Sequence, residues 1–119
     1  MAAAELQETM TLTERLKAVK QVLVEREDYF IKQMLVWIDF CQHQNRVELQ
    51  NSEFFQRIYE RYQQAIGSLL EITEPKVIWF VLCLIDGIIV ERLCGNQNVS
   101  LGEQIDLLSQ ILISYLERQ

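Results

Sequence analysis

The chain has 119 residues and a mass of 14.1 kDa, room for one folded domain and no second. Half of the residues are hydrophobic, and the balance of 11 Lys and Arg against 17 Asp and Glu gives a net charge of −6, which argues against an autonomous nucleic-acid binder. Four Gly and one Pro exclude a collagen-like or Pro/Gly-rich disordered chain.

Residues 1–10 read as a flexible leader, with no basic stretch followed by an apolar one and hence no signal-peptide pattern. Residues 11–119 read as one helical domain. Thr11-Leu12-Thr13-Glu14 fits a capping box, and Leu12, Leu16, Val19 and Leu23 follow at helical spacing. This first helix is expected to end in the charged stretch Glu25–Asp28, where Asp28 could cap the next. The second predicted helix runs from about Tyr29 to His43. Phe30, Met34, Trp37 and Cys41 form one stripe, and Ile31, Leu35 and Ile38 lie beside it. That arc is too wide for a helix that meets a single neighbour. Gln42 to Gln50 is polar and reads as a connection.

The third predicted helix starts near Asn51 or Ser52. Phe55, Ile58, Tyr59, Tyr62, Ala65, Ile66, Leu69 and Leu70 hold one face, while Arg57, Glu60, Arg61 and Gln64 hold the other. Thr73-Glu74-Pro75 marks a break and a restart, since Pro in a first turn loses no helical hydrogen bond. The fourth predicted helix, about Glu74 to Cys94, is apolar all round from Val77 to Ile85 and continues through Ile88, Ile89 and Val90. It is too short for a membrane span and carries Asp86, so it reads as a buried helix. Gly95-Asn96 supplies a stop. Ser100-Leu101-Gly102-Glu103 is a second capping box and opens a final helix to about Arg118. Leu101, Ile105, Leu108 and Leu112 form one stripe there, widened by Leu107, Ile111 and Ile113. The fold class is all-α, a bundle of about five helices.

Two adjacent helices with broad apolar faces exceed what three amphipathic helices can cover. The expectation is a homodimer in which the last two helices of each subunit form an intersubunit four-helix bundle about a two-fold axis. Gly87, mid-helix, suits a close helix approach, and Asp86 is the sole charge between Lys76 and Glu91. The expected dimer interface comprises Ile85, Asp86, Gly87, Ile89, Leu101, Ile105, Leu108 and Leu112.

Cysteine and histidine chemistry is sparse. Cys41, Cys83 and Cys94 are odd in number and show no C-x-x-C spacing, so reduced thiols in a cytoplasmic protein are expected. Asp39, Cys41 and His43 do not share a helical face, so no metal site is expected. No nucleophile–base arrangement or phosphate loop can be read, and the chain is expected to be non-enzymatic and to need no cofactor.

The order of elements is a capped helix, a broad apolar helix and an aromatic-rich amphipathic helix. An apolar helix with Leu84-Ile85-Asp86-Gly87-Ile88-Ile89 before a Gly-Asn turn and a capped final helix follow. This order resembles the C-terminal effector-binding and dimerisation domain of TetR-type transcriptional regulators. The resemblance covers about residues 11–119. It implies that the last two helices dimerise and that a small hydrophobic effector binds among the others. Members of that family carry a basic N-terminal helix-turn-helix domain. Nothing in this sequence matches it, so no direct nucleic-acid contact by this chain is expected, nor any with a membrane. Candidate ligand-binding residues are Trp37, Phe40, Cys41, Tyr59, Tyr62, Trp79, Phe80 and Cys83, although aromatic stripes at helical spacing commonly serve as core packing. The competing reading is a structural helical adaptor that binds a partner protein through an apolar surface. A sensing domain calls for an enclosed cavity of about 300 Å³ or more. An adaptor calls for a solid core and an open groove.

Overall fold

A computed structural model describes residues 10–118, which form six α-helices and no strand: α1 (Leu12–Glu25), α2 (Glu27–Gln42), α3 (Arg46–Gln50), α4 (Glu53–Leu70), α5 (Pro75–Leu93) and α6 (Leu101–Glu117). The expected leader lies outside the described residues except for Met10. The all-α class stands. The helix count rises from about five to six because α3 occupies the segment read as a connection. Five residues are too few to display an apolar repeat, and α3 is held by its cap instead: the Asn45 side chain accepts from the Glu48 amide at 2.8 Å.

Local chemistry explains the other boundaries. The Thr11 hydroxyl accepts from the Glu14 amide at 3.2 Å, and the Glu14 carboxylate accepts from the Thr11 amide at 3.1 Å, closing the capping box of α1. Arg26 alone separates α1 from α2, so Asp28 falls inside the first turn of α2 and does not cap it. Ser52 and Ser100 cap α4 and α6 by accepting from the Phe55 and Glu103 amides. α4 ends on Glu71 in the left-handed region, φ 54°, where the Glu71 and Ile72 amides both donate to the Gly67 carbonyl. Pro75 occupies the first turn of α5, and Gly95, at φ 83°, turns the chain away from its end.

α5 is the hub, packed against α2, α4 and α6, while α1 closes the bundle against α6, α4 and α2. One core results. Leu16 and Leu23 of α1, Val77, Ile78, Val81, Leu82, Ile85 and Ile89 of α5, and Leu101, Ile105, Leu108 and Leu112 of α6 are all buried within it. Each such side chain contributes roughly 1.5–3 kcal/mol on leaving water. By contrast, α2 contributes no fully buried residue.

Two arginines lock the frame. Arg15, 4% exposed, donates to the carbonyls of Leu69 (3.1 Å) and Met10 (3.3 Å) and to the Glu71 carboxylate (3.0 Å), tying α1 to the C-terminal end of α4. Arg92 donates to the Glu27 carboxylate at 2.5 Å and to the Val99 carbonyl at 2.8 Å, joining α2, α5 and the loop into α6. The Glu27 carboxylate holds the Arg92 guanidinium pKa above its ordinary value.

Replacing Arg15 by Ala removes at least three hydrogen bonds from a buried position and should cost about 2–3 kcal/mol in urea unfolding. Arg15→Lys should recover only part, because an ammonium cannot reproduce the planar fork. A loss below about 0.5 kcal/mol, the range of an ordinary surface substitution, would contradict this assignment.

Candidate functional site

The stripe Phe55–Tyr59–Tyr62–Ile66 runs along one face of α4, because residues three and four apart stack on a helix. On α2, Trp37 and Cys41 share a face, with Phe40 at its edge. The two helices meet through these rings. Trp37 lies edge-on to Phe55 (centroids 4.7 Å apart) and to Tyr59 (6.1 Å), and Phe40 leans on Phe55 (5.2 Å) and Phe54 (5.7 Å). Trp79 of α5 completes the cluster edge-on to Tyr59 at 5.5 Å. These distances are those of favourable aromatic contact.

Asp86 lies seven residues beyond Trp79, on the same side of α5, two turns away. Burial raises the pKa of both the Tyr59 and the Tyr62 phenols, and smaller contributions in the same direction come from the Cys41 thiol and then Asp86 at Tyr59, and from Asp86 and then Tyr29 at Tyr62. Because Trp79 on the same side of α5 meets Tyr59 of α4, Asp86 shares the flank of α5 that is turned towards α4. It is open to water on one side, yet the apolar bulk around it desolvates the carboxylate and raises its pKa above the usual value. Among the described residues no hydrogen bond or ion pair reaches it; the guanidinium of Arg26 sits instead over the Tyr29 ring, 4.5 Å from the centroid.

The structure thus sorts the eight candidate ligand residues into two places. Trp37, Phe40, Cys41, Tyr59, Tyr62 and Trp79 gather where α2, α4 and α5 meet. Phe80 and Cys83 do not join them. They lie on the outward side of α5, with Gly87, and both are exposed. Sequence reasoning left out Tyr29, Phe54 and Phe55, although Phe55 stood on the α4 stripe and only its pairing with Trp37 needed the fold.

The eight expected interface residues are redistributed more sharply. Ile85, Ile89, Leu101, Ile105, Leu108 and Leu112 are buried by the chain's own helices, Ile105 to 1% exposure. The physical reason is that α5 and α6 turn their most continuous apolar stripes towards each other and towards α1. Asp86 lies on the flank of α5 turned towards α4. Only Gly87 remains on an outward face, and a methyl group built on it would meet nothing within 4 Å. Around it runs an uncovered apolar stripe: Phe80 (46% exposed) and Cys83 on α5, Leu107 (50%), Ile111 (47%) and Tyr115 (38%) on α6. Leu107 and Ile111 were visible in the sequence as the residues that widen the α6 stripe.

Space is limited. The gap bounded by Leu23, Phe30, Ile31, Ile89 and Leu101 has no room for a water molecule. A depression of about 310 Å³ beside Gln63, Gly67, Ile72 and Ile78 is open to solvent, so it is not the enclosed cavity expected of a sensing domain. His43 Nδ1 donates to the Asp39 carbonyl at 2.7 Å and serves the end of α2. Among the described residues no group of three His, Cys, Asp or Glu is arranged to hold a metal ion, and no helix is long and apolar enough to cross a membrane. Comparison of the chain with protein-family models, curated proteins and solved structures finds no match.

Asp86 carries a folded-state pKa above its unfolded one. Its contribution to stability is therefore fully present below the unfolded pKa, about 4, and lost as pH rises through the folded value. Asp86→Asn should raise the Tm at pH 7, with the advantage closing as pH falls below about 4. A lower Tm for the Asn chain at pH 7 would contradict a desolvated, unpartnered carboxylate.

Proposed function

We propose that this chain is a homodimerising, effector-responsive regulatory domain, similar in design to the C-terminal domain of TetR-type transcriptional regulators. The observation that supports this reading best is the apolar stripe that α5 and α6 leave uncovered. Phe80, Cys83, Gly87, Leu107, Ile111 and Tyr115 lie side by side along two adjacent helices. A second copy placed about a two-fold axis turns them into the centre of a four-helix bundle, burying the same patch on both subunits. Cys83 and Gly87 are small enough to let two α5 helices approach closely. The large side chains contribute roughly 1.5–3 kcal/mol each when fully covered, against the entropy lost on association.

In this reading the seam lies one face away from the residues first expected there. The effector, a small hydrophobic molecule, is received at the aromatic cluster between α2, α4 and α5. α5 links the two, with Trp79 and Asp86 on one side and Cys83 and Gly87 on the other. An effector that prefers one placement of α5 shifts the population of dimer geometries, by no more than its difference in affinity for them. Such a domain works in the cytoplasm, without enzymatic chemistry and without touching nucleic acid or membrane itself.

One observation favours the adaptor reading: the rings of the cluster occupy the space between their helices, and α2 exposes Leu35 and Val36 as a further apolar surface. The two readings place the critical surface on different helices. Light scattering after size exclusion should give a dimer for the unmodified chain and a helical monomer for Leu107→Glu/Ile111→Glu, while Leu35→Glu/Val36→Glu remains a dimer. An unmodified chain that runs as a monomer, or dissociation caused by the α2 pair alone, would overturn the proposed seam. Gly87→Ala adds a sharper test. In a lone chain it should gain about 0.5–1 kcal/mol of stability, whereas at a close seam it should weaken the dimer.

A further inference from the structure

We infer that the two copies meet in one register: α5 lies antiparallel to the α5 of the second copy, with Phe80 seated over the partner's Gly87 and Lys76 set against the partner's Glu91. This inference rests on the dimeric reading above and names the residues that select the partner and its orientation.

The outer line of α5 carries it. Lys76, Phe80, Cys83, Gly87 and Glu91 are all exposed and follow one another at intervals of three or four residues, so they share one face of the helix. That line is complementary to itself about the point between Cys83 and Leu84. Three residues beyond Cys83 on one side stands Phe80, a large exposed ring, and three beyond Leu84 on the other stands Gly87, with no side chain. Seven residues out, Lys76 stands on one side and Glu91 on the other. A two-fold axis through the centre, perpendicular to the helix, sets ring on glycine twice and cation on carboxylate twice. An isologous interface demands this pattern, because wherever residue i meets j, j meets i. An unrelated partner makes no such demand on the sequence, so the symmetry of the line points to a second copy.

Each contact has a physical basis. A Cβ built on Gly87 meets nothing within 4 Å inside the chain, so the fold itself does not require a glycine there, despite its cost in a helix. Glycine lets the partner's ring approach bare backbone and leave water. Lys76 and Glu91 pair with near neighbours in sequence, Glu74 at 3.2 Å and Asn96 at 3.1 Å, and stay exposed. Each lies about 11 Å from the centre, where helices crossing at the roughly 20° of a four-helix bundle have parted by about 4 Å. Long Lys and Glu side chains span that gap. Rim charges of this kind add little affinity but reject wrong orientations. A parallel seam sets Lys76 on Lys76, Glu91 on Glu91 and Gly87 on Gly87, which brings like charges together and leaves the ring without a recess.

The cysteines report the register. Antiparallel pairing brings the two Cys83 thiols together near the axis and holds the two Cys94 residues about 30 Å apart along the helices, whereas parallel pairing brings both pairs together. The experiment treats the full chain, as Cys41→Ser/Cys94→Ser and as Cys41→Ser/Cys83→Ser, with the short thiol crosslinker bismaleimidoethane. It also measures the dimer dissociation constant for Gly87→Phe, Phe80→Ala and the two combined, with circular dichroism as the check on folding. The expected result is a crosslinked dimer only where Cys83 is retained, at least thirtyfold weaker association for Gly87→Phe, and at least tenfold recovery when Phe80→Ala is added, because ring and recess have exchanged places. Lys76→Glu should weaken association several-fold at low salt, and Lys76→Glu/Glu91→Lys should restore it. Dimers that do not crosslink through Cys83, or that crosslink equally through Cys94, or a combined substitution no better than Gly87→Phe alone, would overturn the register and leave the homodimer standing. An unmodified chain that is monomeric overturns both.

Discussion

α5 presents apolar side chains around its whole circumference, and the rest of the molecule is arranged to keep them from water. No single neighbour can cover such a helix. Its inner face, from Val77 to Ile89, meets α1, α2 and α6 in the core. One flank, with Trp79 and Asp86, turns towards the aromatic face of α4. The outer face carries Phe80, Cys83 and Gly87, all exposed among the described residues. One arginine lock, Arg15, ties α1 to the end of α4, and the other, Arg92, near the end of the hub itself, ties it to the start of α2 and to the loop before α6.

In the proposed reading, α5 is the element that links the aromatic cluster to the seam. The core face is dense and tolerates little displacement, since close-packed side chains rearrange between discrete states rather than deform smoothly. The two other faces are adjacent on the helix surface. Asp86 and Gly87 are neighbours in sequence, one on the flank turned towards α4 and the other facing outward. A shift of α5 large enough to reposition Asp86 therefore moves Gly87 as well.

Much of the fold was legible in the sequence, because it rests on local signals: the Thr11 and Ser100 caps, the Pro75 restart, the Gly95 stop and the 3.6-residue periodicity between them. α3 escaped because one and a half turns cannot show a period. The assignment of faces was the harder matter. Periodicity shows that α5 and α6 are broadly apolar, but not which part of each arc meets the other helix and which stays outside. The most regular stripe, Leu101–Ile105–Leu108–Leu112, went to the chain's own core, and the residues that merely widened it, Leu107 and Ile111, form the outer surface. Similarly, Trp37, Tyr59 and Trp79 could be named from composition and spacing, whereas their union with Phe55, and the approach of Asp86 to Tyr59 and Tyr62, depend on the crossing of three helices. Phe80 is one residue from Trp79, yet about 100° of helical rotation places it on another surface.

The whole account depends on the outer face of α5 and α6 being covered by a second copy of the chain. Sedimentation equilibrium of the unmodified protein at micromolar concentration measures this without any substitution. The account gives a single species of twice 14.1 kDa that dissociates only on dilution. A species of 14.1 kDa that persists as concentration is raised, with Phe80, Leu107 and Ile111 left in water, would contradict it.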